Sequence, residues 1–282
     1  MYLSIIPFSH SIGTSPLTYV GGDIFSDDIA LGSIVLIPLG KGQELGLIVG
    51  ISEENTEMRE DIKTILQVIT KRTVIAPYQI DMILFLARRY MIPIHRVLGF
   101  FLTQPILKRL EKYGYDILSE TTQTSQHTIP RKKELVFFSE TTITSDILHP
   151  YLGEKTIIIC PDDFSLENYR KDFENEHTFF YSTDLTDTRK AKAWIDIRNG
   201  KYTQIFGSRR LLYYNLAHYT SIIYLEDAFG KEYYHFPSRI HYLDVLFSLE
   251  RTEHMNVSIL TSVPLLTTLS QSKHFNIINH SL

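Results

Sequence analysis

The sequence has few features that would place it in a membrane or in an oxidising compartment. Its 282 residues include one cysteine, Cys160, which excludes an internal disulfide and a cysteine-based zinc site. No apolar run reaches the roughly 18 residues that span a bilayer. The N-terminus also lacks the basic and apolar segments of a signal peptide. We therefore expect a cytoplasmic protein with no membrane partner.

A phosphate-binding loop is also absent. Such a loop has the pattern Gly-x-x-x-x-Gly-Lys-Ser/Thr, in which backbone amides and the lysine hold the phosphates of a nucleotide. None of the 14 glycines begins this spacing. The sequence therefore predicts a chain that does not use ATP in the manner of a P-loop enzyme.

Charge is unevenly distributed along the first 112 residues. Residues 1–58 hold one basic residue, Lys41, against seven acids, whereas residues 59–112 hold ten basic residues against four acids. The ten are Arg59, Lys63, Lys71, Arg72, Arg88, Arg89, Arg96, Lys108, Arg109 and Lys112. A basic segment of this kind fits either a phosphate-binding surface or a solvated helical face without a partner.

Periodicity predicts a first domain over residues 1–115. Residues 1–50 read as β-structure, with a hairpin-type turn at Gly40-Lys41-Gly42-Gln43. Residues 78–104 read as two helices separated at Pro93, with Arg88 and Arg89 outside the apolar stripe. Residues 116–132 are rich in Ser, Thr and Gln and read as a linker.

From residue 133 to residue 282, short apolar runs alternate with polar helical segments. Strands are expected near 135–138, 156–160, 179–181, 202–206, 221–225 and 257–260. Helices are expected near 165–175, 187–199 and 238–252. This alternation predicts a parallel α/β sheet that is covered on both faces.

The first domain resembles the 3′-DNA-end-binding domain of the primosomal protein N′ (PriA) family, in which a helicase acts in replication restart. The resemblance is carried by the following segments, in this order: Pro16-Leu17-Thr18-Tyr19-Val20, Gly32-Ser33-Ile34-Val35-Leu36-Ile37-Pro38-Leu39-Gly40-Lys41, Gly46-Leu47-Ile48-Val49, Ile62-Lys63-Thr64-Ile65-Leu66 and Ala87-Arg88-Arg89-Tyr90-Met91-Ile92-Pro93. It implies a small β-barrel with appended helices and a pocket for the 3′-terminal nucleotide.

The resemblance also implies site residues. Tyr19 would stack on a base, Gly40 would line the pocket beside Lys41, and Lys63 would meet a phosphate. Leu17 and Thr18 occupy the positions of the family's first aromatic and its acid. Because Thr18 is uncharged, its hydrogen bond to a 3′-hydroxyl should lack charge assistance.

The second part resembles the first helicase lobe of the same family, a RecA-like domain. Gly207-Ser208-Arg209-Arg210 matches a Gly-Thr-Arg motif, and Leu225-Glu226-Asp227-Ala228 lies at the Asp-Glu-Glu-His box. Arg209 and Arg210 would contact DNA phosphate; the alternative is surface charge or a structural salt bridge. For Glu226 and Asp227 the alternative is a capped or solvated strand end.

Two further features separate this chain from an active helicase of the family. Residues 138–145 stand at the phosphate-loop position without glycine or lysine and with Glu140, and Leu225 replaces the metal-binding aspartate. The sequence also shows no second helicase lobe. We expect a DNA-binding replication or restart protein for forks or 3′ ends, without enzymatic activity, cofactor or metal. The alternative is an adaptor that docks a replisome or primosome protein.

Overall fold

The structure, a computed structural model, describes residues 1–9, 13–22, 29–54, 62–119, 132–139, 143–226, 234–235, 240–253 and 255–280. The chain divides into an N-terminal unit, Met1–Thr122, and a C-terminal unit, Gln123–Leu282. The division falls within the segment 116–132 that the sequence predicts to be a linker. Residues 120–131 of that segment lie outside the described residues.

Five antiparallel strands form the N-terminal sheet, in the order β2-β1-β4-β3-β5. The strands are β1 (Tyr2–Pro7), β2 (Leu17–Val20), β3 (Ile34–Leu39), β4 (Gly42–Ser52) and β5 (Gln67–Thr70). The edge strand β2 is joined to the segment that leads into the other edge strand, β5. The Val20 amide donates to the Lys63 carbonyl (2.9 Å), and the Ile65 amide donates to the Val20 carbonyl (3.0 Å). The sheet is thereby closed into a small barrel, as the sequence predicts.

The barrel is filled by side chains that alternate inward along each strand, among them Leu3, Ile5, Val35, Ile37 and Ile48, none of which is exposed. Hydrophobic burial of this kind is the main stabilising contribution to such a core.

Three helices follow the barrel: α1 (Pro77–Tyr90), α2 (Ile94–Phe101) and α3 (Gln104–Tyr113). Helix α1 begins with Pro77 in its first turn, and the Gln79 side chain accepts a hydrogen bond from the Ala76 amide (3.1 Å). The separation of α1 and α2 at Pro93 confirms the sequence prediction. Helix α3 was not predicted.

The C-terminal unit is built on seven parallel strands in the order β14-β6-β13-β10-β7-β9-β8. Its strands are β6 (Lys133–Phe137), β7 (Thr156–Ile159), β8 (Thr178–Tyr181), β9 (Gln204–Gly207), β10 (Ser221–Leu225), the paired two-residue strands β11 (Tyr234–His235) and β12 (Ile240–His241), β13 (Asn256–Thr261) and β14 (Asn276–Asn279). Its helices are α4 (Ser145–Leu148), α5 (Asp163–Phe173), α6 (Asp187–Arg198), α7 (Tyr242–Glu253) and α8 (Leu266–Gln271).

The central strands of this sheet are buried on both faces, as all four residues of β7 show. This confirms the predicted fold class, a small β-barrel followed by a parallel α/β lobe of the RecA-like kind. The six strands and three helices expected from the sequence in this unit are present within a few residues of their predicted bounds. Because parallel strands share one direction, the ends of β7, β10 and β13 meet at one edge of the sheet, which is where ligands bind in folds of this type.

Candidate nucleic-acid interface

The hairpin between β3 and β4 presents Gly40 and Lys41 at the rim of the barrel. Leu39 pairs with Gly42, so these two residues alone form the turn, and both are exposed. Gly40 has φ +58°, which favours glycine at the first position of a type II′ turn. The sequence prediction of a tight turn is confirmed, and the Lys41 cation lies at its tip.

Tyr19 lies inside the barrel, not on its surface. Its side chain is 4% exposed, and its hydroxyl donates to the Pro38 carbonyl at 3.2 Å. Burial, and secondly the charge of Glu44, raises the pKa of the Tyr19 hydroxyl. Strand alternation explains this placement, because Tyr19 points inward while its neighbour Thr18 is half-buried and pairs across to Ser4. A ring in this position packs with the core, and the base-stacking role that the resemblance implies for it must be corrected.

Lys63 lies beside β2, on the segment that closes the barrel. Its carbonyl accepts from the Val20 amide, and its side chain is exposed. This segment leads into β5, which runs antiparallel to β3 with Leu36 opposite Gln67. Residues before Gln67 therefore approach the end of β3 that carries the Gly40 turn. Lys63 therefore lies beside β2, the strand that carries Thr18.

Arg88 and Arg89 are exposed at the end of α1, as the periodicity predicts. They line a shallow cleft of about 640 Å³ together with Asp81, Leu84 and Phe85. The guanidinium carbon of Arg89 lies 5.9 Å from the centre of the Phe85 ring, which is within the range of a cation–π contact. The sequence reasoning missed Phe85, which is 39% exposed although it lies next to the apolar stripe.

Arg209 and Arg210, which are adjacent in the C-terminal unit, have different environments. Arg209 is 6% exposed, its Nε donates to the Tyr224 hydroxyl at 3.1 Å, and its guanidinium lies 5.9 Å from the centre of the Tyr242 ring. The expectation that Arg209 contacts DNA phosphate must therefore be corrected, since the short 3₁₀ turn after β9 directs this side chain into the unit. Arg210 is exposed and is the member of the pair that solvent and a phosphate can reach.

A cleft of about 1050 Å³ opens at the carboxyl ends of β7, β10 and β13. Among the described residues that line it, Lys171 is the one lysine or arginine, and four carry carboxylates: Asp146, Asp162, Asp172 and Glu226. Three of these carboxylates already accept hydrogen bonds from protein groups, and Glu226 is described below. Asp162 accepts from the Ser165 amide at the start of α5 (2.7 Å), and Asp172 accepts from the Ser145 hydroxyl. The charge of this lining is unfavourable for phosphate.

Glu226 is buried at the end of β10 and is held by the start of α8. It accepts hydrogen bonds from the Thr268 hydroxyl and from the Leu265 amide (3.4 Å). Burial raises the pKa of the Glu226 carboxyl, and the bonds from Thr268 and Leu265 and the charge of Arg209 oppose that rise. These contacts are those of a capped strand end, the alternative considered for Glu226; Asp227 and Ala228 lie outside the described residues.

The segment that would carry a phosphate loop continues directly from β6. The Phe138 amide donates to the Thr261 carbonyl (3.1 Å), and the Phe138 ring stacks on His280 with ring centres 5.2 Å apart. Ser145 then begins the four-residue helix α4. Residues 140–142, including Glu140, lie outside the described part of the chain.

The described ranges contain no group of three or more His, Cys, Asp or Glu side chains arranged to hold a metal ion. Within the same ranges, no helix combines the length and the apolar character needed to cross a membrane.

The N-terminal unit is similar to a known protein family. The family model of the PriA 3′DNA-binding domain (3′BD) matches residues 7–103, and no curated protein matches the chain. The matched range includes Thr18, Tyr19, Gly40, Lys41, Lys63, Arg88 and Arg89. It ends before α3 and before the C-terminal unit. Residues 7–103 are therefore similar to the PriA 3′DNA-binding domain, and this similarity supports DNA as a partner.

Proposed function

We propose that this chain recognises DNA forks or 3′ ends in replication or replication restart, and that it does so without hydrolysing ATP. The observation that carries the proposal is the match of residues 7–103 to the 3′DNA-binding domain, a range that includes Thr18, Gly40, Lys41 and Lys63. Exposed Lys41 and Lys63 supply positive charge for phosphates, and the exposed Gly40 turn allows a close approach of backbone and nucleotide.

Thr18 sets the expected strength of 3′-end recognition. A hydroxyl donates or accepts one neutral hydrogen bond, which is weaker than a bond to a carboxylate. Since Tyr19 packs in the core, base stacking falls to other aromatic side chains. We therefore expect binding that depends strongly on phosphate contacts and only modestly on the free 3′-hydroxyl.

The absence of ATPase activity is proposed from the charge and contacts of the large cleft. Its described lining presents four carboxylates against Lys171, and Glu226 is engaged with the start of α8. Phosphoryl transfer needs cations at the phosphates and a metal-binding acid. Phosphate release assayed with Mg-ATP, with and without DNA, should stay at background, and calorimetric titration with ATP and magnesium should give no heat. A clear micromolar binding signal would contradict this part of the proposal.

The DNA-binding part is tested by fluorescence anisotropy with forked, 3′-tailed and blunt DNA over a salt series. Lys63→Ala should weaken binding to all three and lower the slope of log K against log salt by about one. Lys192→Ala removes the same charge from an exposed position on α6 and should leave both unchanged. Absence of binding by the unaltered chain at low salt would refute the proposal.

The exposed apolar side chains of the C-terminal unit favour a second candidate function, docking of a replisome or primosome protein. Phe164 is 77% and Leu266 is 84% exposed, and Val263 lies nearby in sequence with more than half of its surface exposed. Large exposed apolar side chains are typical of protein interfaces. Capture of such a protein should survive nuclease treatment and be lost with Phe164→Ser and Leu266→Ser; capture that depends on DNA would contradict it.

A further inference from the structure

Helix α3 lies outside the matched range and has a marked division between its two faces. It buries Ile106, Leu107 and Leu110. Its outer face exposes Lys108 and Lys112, and Arg109 is half-buried. Within the described residues, no carboxylate lies at salt-bridge distance from these three cations. The outer face is therefore a basic surface whose charges are available to a polyanion.

Tyr113, the last residue of α3, is the second component of this surface. Its ring is 52% exposed, with the Arg109 guanidinium carbon 4.9 Å and the Lys112 ammonium nitrogen 5.1 Å from the ring centre. Arg109 stands four residues before Tyr113, a spacing at which helical side chains meet. Gly114 follows with φ +83° and ends the helix, and a short 3₁₀ turn, Tyr115–Ile117, comes next.

Exposed aromatic rings are rare in the N-terminal unit. In the part of this unit that the structure describes, the exposed aromatic residues are Phe85 and Tyr113. Each has a cation over its ring. The favourable interaction of a cation with the helix dipole explains a lysine in the last turn of α3. It does not explain an exposed aromatic ring beside two cations. An aromatic platform flanked by basic side chains is the combination that binds single-stranded nucleic acid.

We propose that Tyr113, Arg109 and Lys112 form a stacking site for an unpaired base in the single-stranded arm of a forked or tailed DNA. The Tyr113 ring stacks on the base, and Arg109 and Lys112 neutralise the phosphates on either side of it. This site deepens the proposed DNA-binding function and rests on it. It also supplies a base-stacking surface that the buried Tyr19 does not.

The test compares the full chain with Tyr113→Ala, Tyr113→Phe and Lys112→Ala on 3′-tailed and blunt DNA. Tyr113→Ala should weaken binding to the tailed DNA about tenfold and leave blunt DNA within twofold, because a blunt duplex offers few unpaired bases. Tyr113→Phe keeps the ring and should stay within twofold on both. Lys112→Ala should lower the salt slope on tailed DNA by about one. Far-UV circular dichroism checks that each variant is folded.

A second readout reports on contact directly. A 5-iododeoxyuridine placed in the tail should crosslink to Tyr113, and mass spectrometry of the digested complex should recover the peptide that contains it. If the unaltered chain binds tailed DNA while Tyr113→Ala binds it equally well, or if all crosslinks lie elsewhere, the stacking site is refuted and the DNA-binding function stands. If the unaltered chain binds no DNA, the function itself is refuted.

Discussion

Replacement of Arg209 by methionine should destabilise the C-terminal unit without acting through DNA. The substitution keeps a long side chain in the buried position but removes the hydrogen bond from Nε to the Tyr224 hydroxyl and the contact with the Tyr242 ring. It also removes the positive charge that lowers the pKa of the buried Glu226 carboxyl. The loss of a buried hydrogen bond from a charged donor costs about 1.5–3 kcal/mol, so we expect the free energy of unfolding to fall by about 2–3 kcal/mol.

The single tryptophan makes this measurement specific to one unit. Trp194 lies on α6 with no exposed surface, and its fluorescence should change when the C-terminal unit unfolds. Unfolding in urea, followed at this residue, gives the midpoint and the slope for that unit. The matched control is Arg210→Met, which removes the same charge from the exposed neighbour and should change stability by less than about 0.5 kcal/mol.

Two results would refute this reasoning. Equal stability of Arg209→Met and the unaltered chain would mean that the buried contacts of Arg209 contribute little. A loss of DNA affinity by Arg209→Met with unchanged stability would mean that Arg209 reaches DNA, contrary to its burial.

Two other predictions concern the barrel and the response to alkaline pH. Gly32→Ala should destabilise the barrel by at least about 2 kcal/mol, because Gly32 has φ +78° and an added Cβ would lie 1.9 Å from the Ile75 carbonyl oxygen. Hydrogen exchange should show lower protection in the strands of the barrel, with a smaller loss in Gly40→Ala, where an added Cβ meets nothing within 4 Å; unchanged protection in Gly32→Ala would contradict the prediction. The C-terminal unit should lose stability as the pH rises above about 10, because burial first, and then the Asp196 charge, raises the pKa of Tyr202 to about 12, and burial raises those of Tyr181 and Tyr219. The unfolded chain releases these protons at lower pH than the folded chain. The contribution of the three tyrosines to the free energy of unfolding is therefore full below pH 10 and declines towards pH 12. A urea midpoint, followed at Trp194, that is constant from pH 9 to pH 11.5 would exclude this effect.

The sequence predicts elements well where a long apolar pattern defines them. The buried strands of the C-terminal unit and the break at Pro93 were readable for this reason. Strand β14 was missed because Ile277 and Ile278 are its only apolar residues and it lies at the edge of the sheet. Helix α3 was missed because its ten residues include Pro105 and follow directly on α2.

Side-chain direction at the site was less accessible from the sequence. Whether Tyr19 points into the barrel depends on the register of β2 with β1. A shift of this register by one residue would turn the Tyr19 side chain to the outside. Which of the adjacent arginines 209 and 210 is buried depends on the start of a short 3₁₀ turn. The turn at Gly40 and Lys41 and the place of Arg88 and Arg89 outside the apolar stripe were predicted correctly, because turns and polar helix positions determine exposure locally.

The pairing of β6 sets the order in which the two units can form during synthesis. Every strand of the barrel has been made by residue 70, and its paired residues are at most 50 positions apart. Strand β6 instead lies between β13 and β14, whose residues emerge more than 110 positions later. Domains fold as they leave the ribosome, and distant pairings are slow. The N-terminal barrel can thus be complete before the strands that pair with β6 have been synthesised.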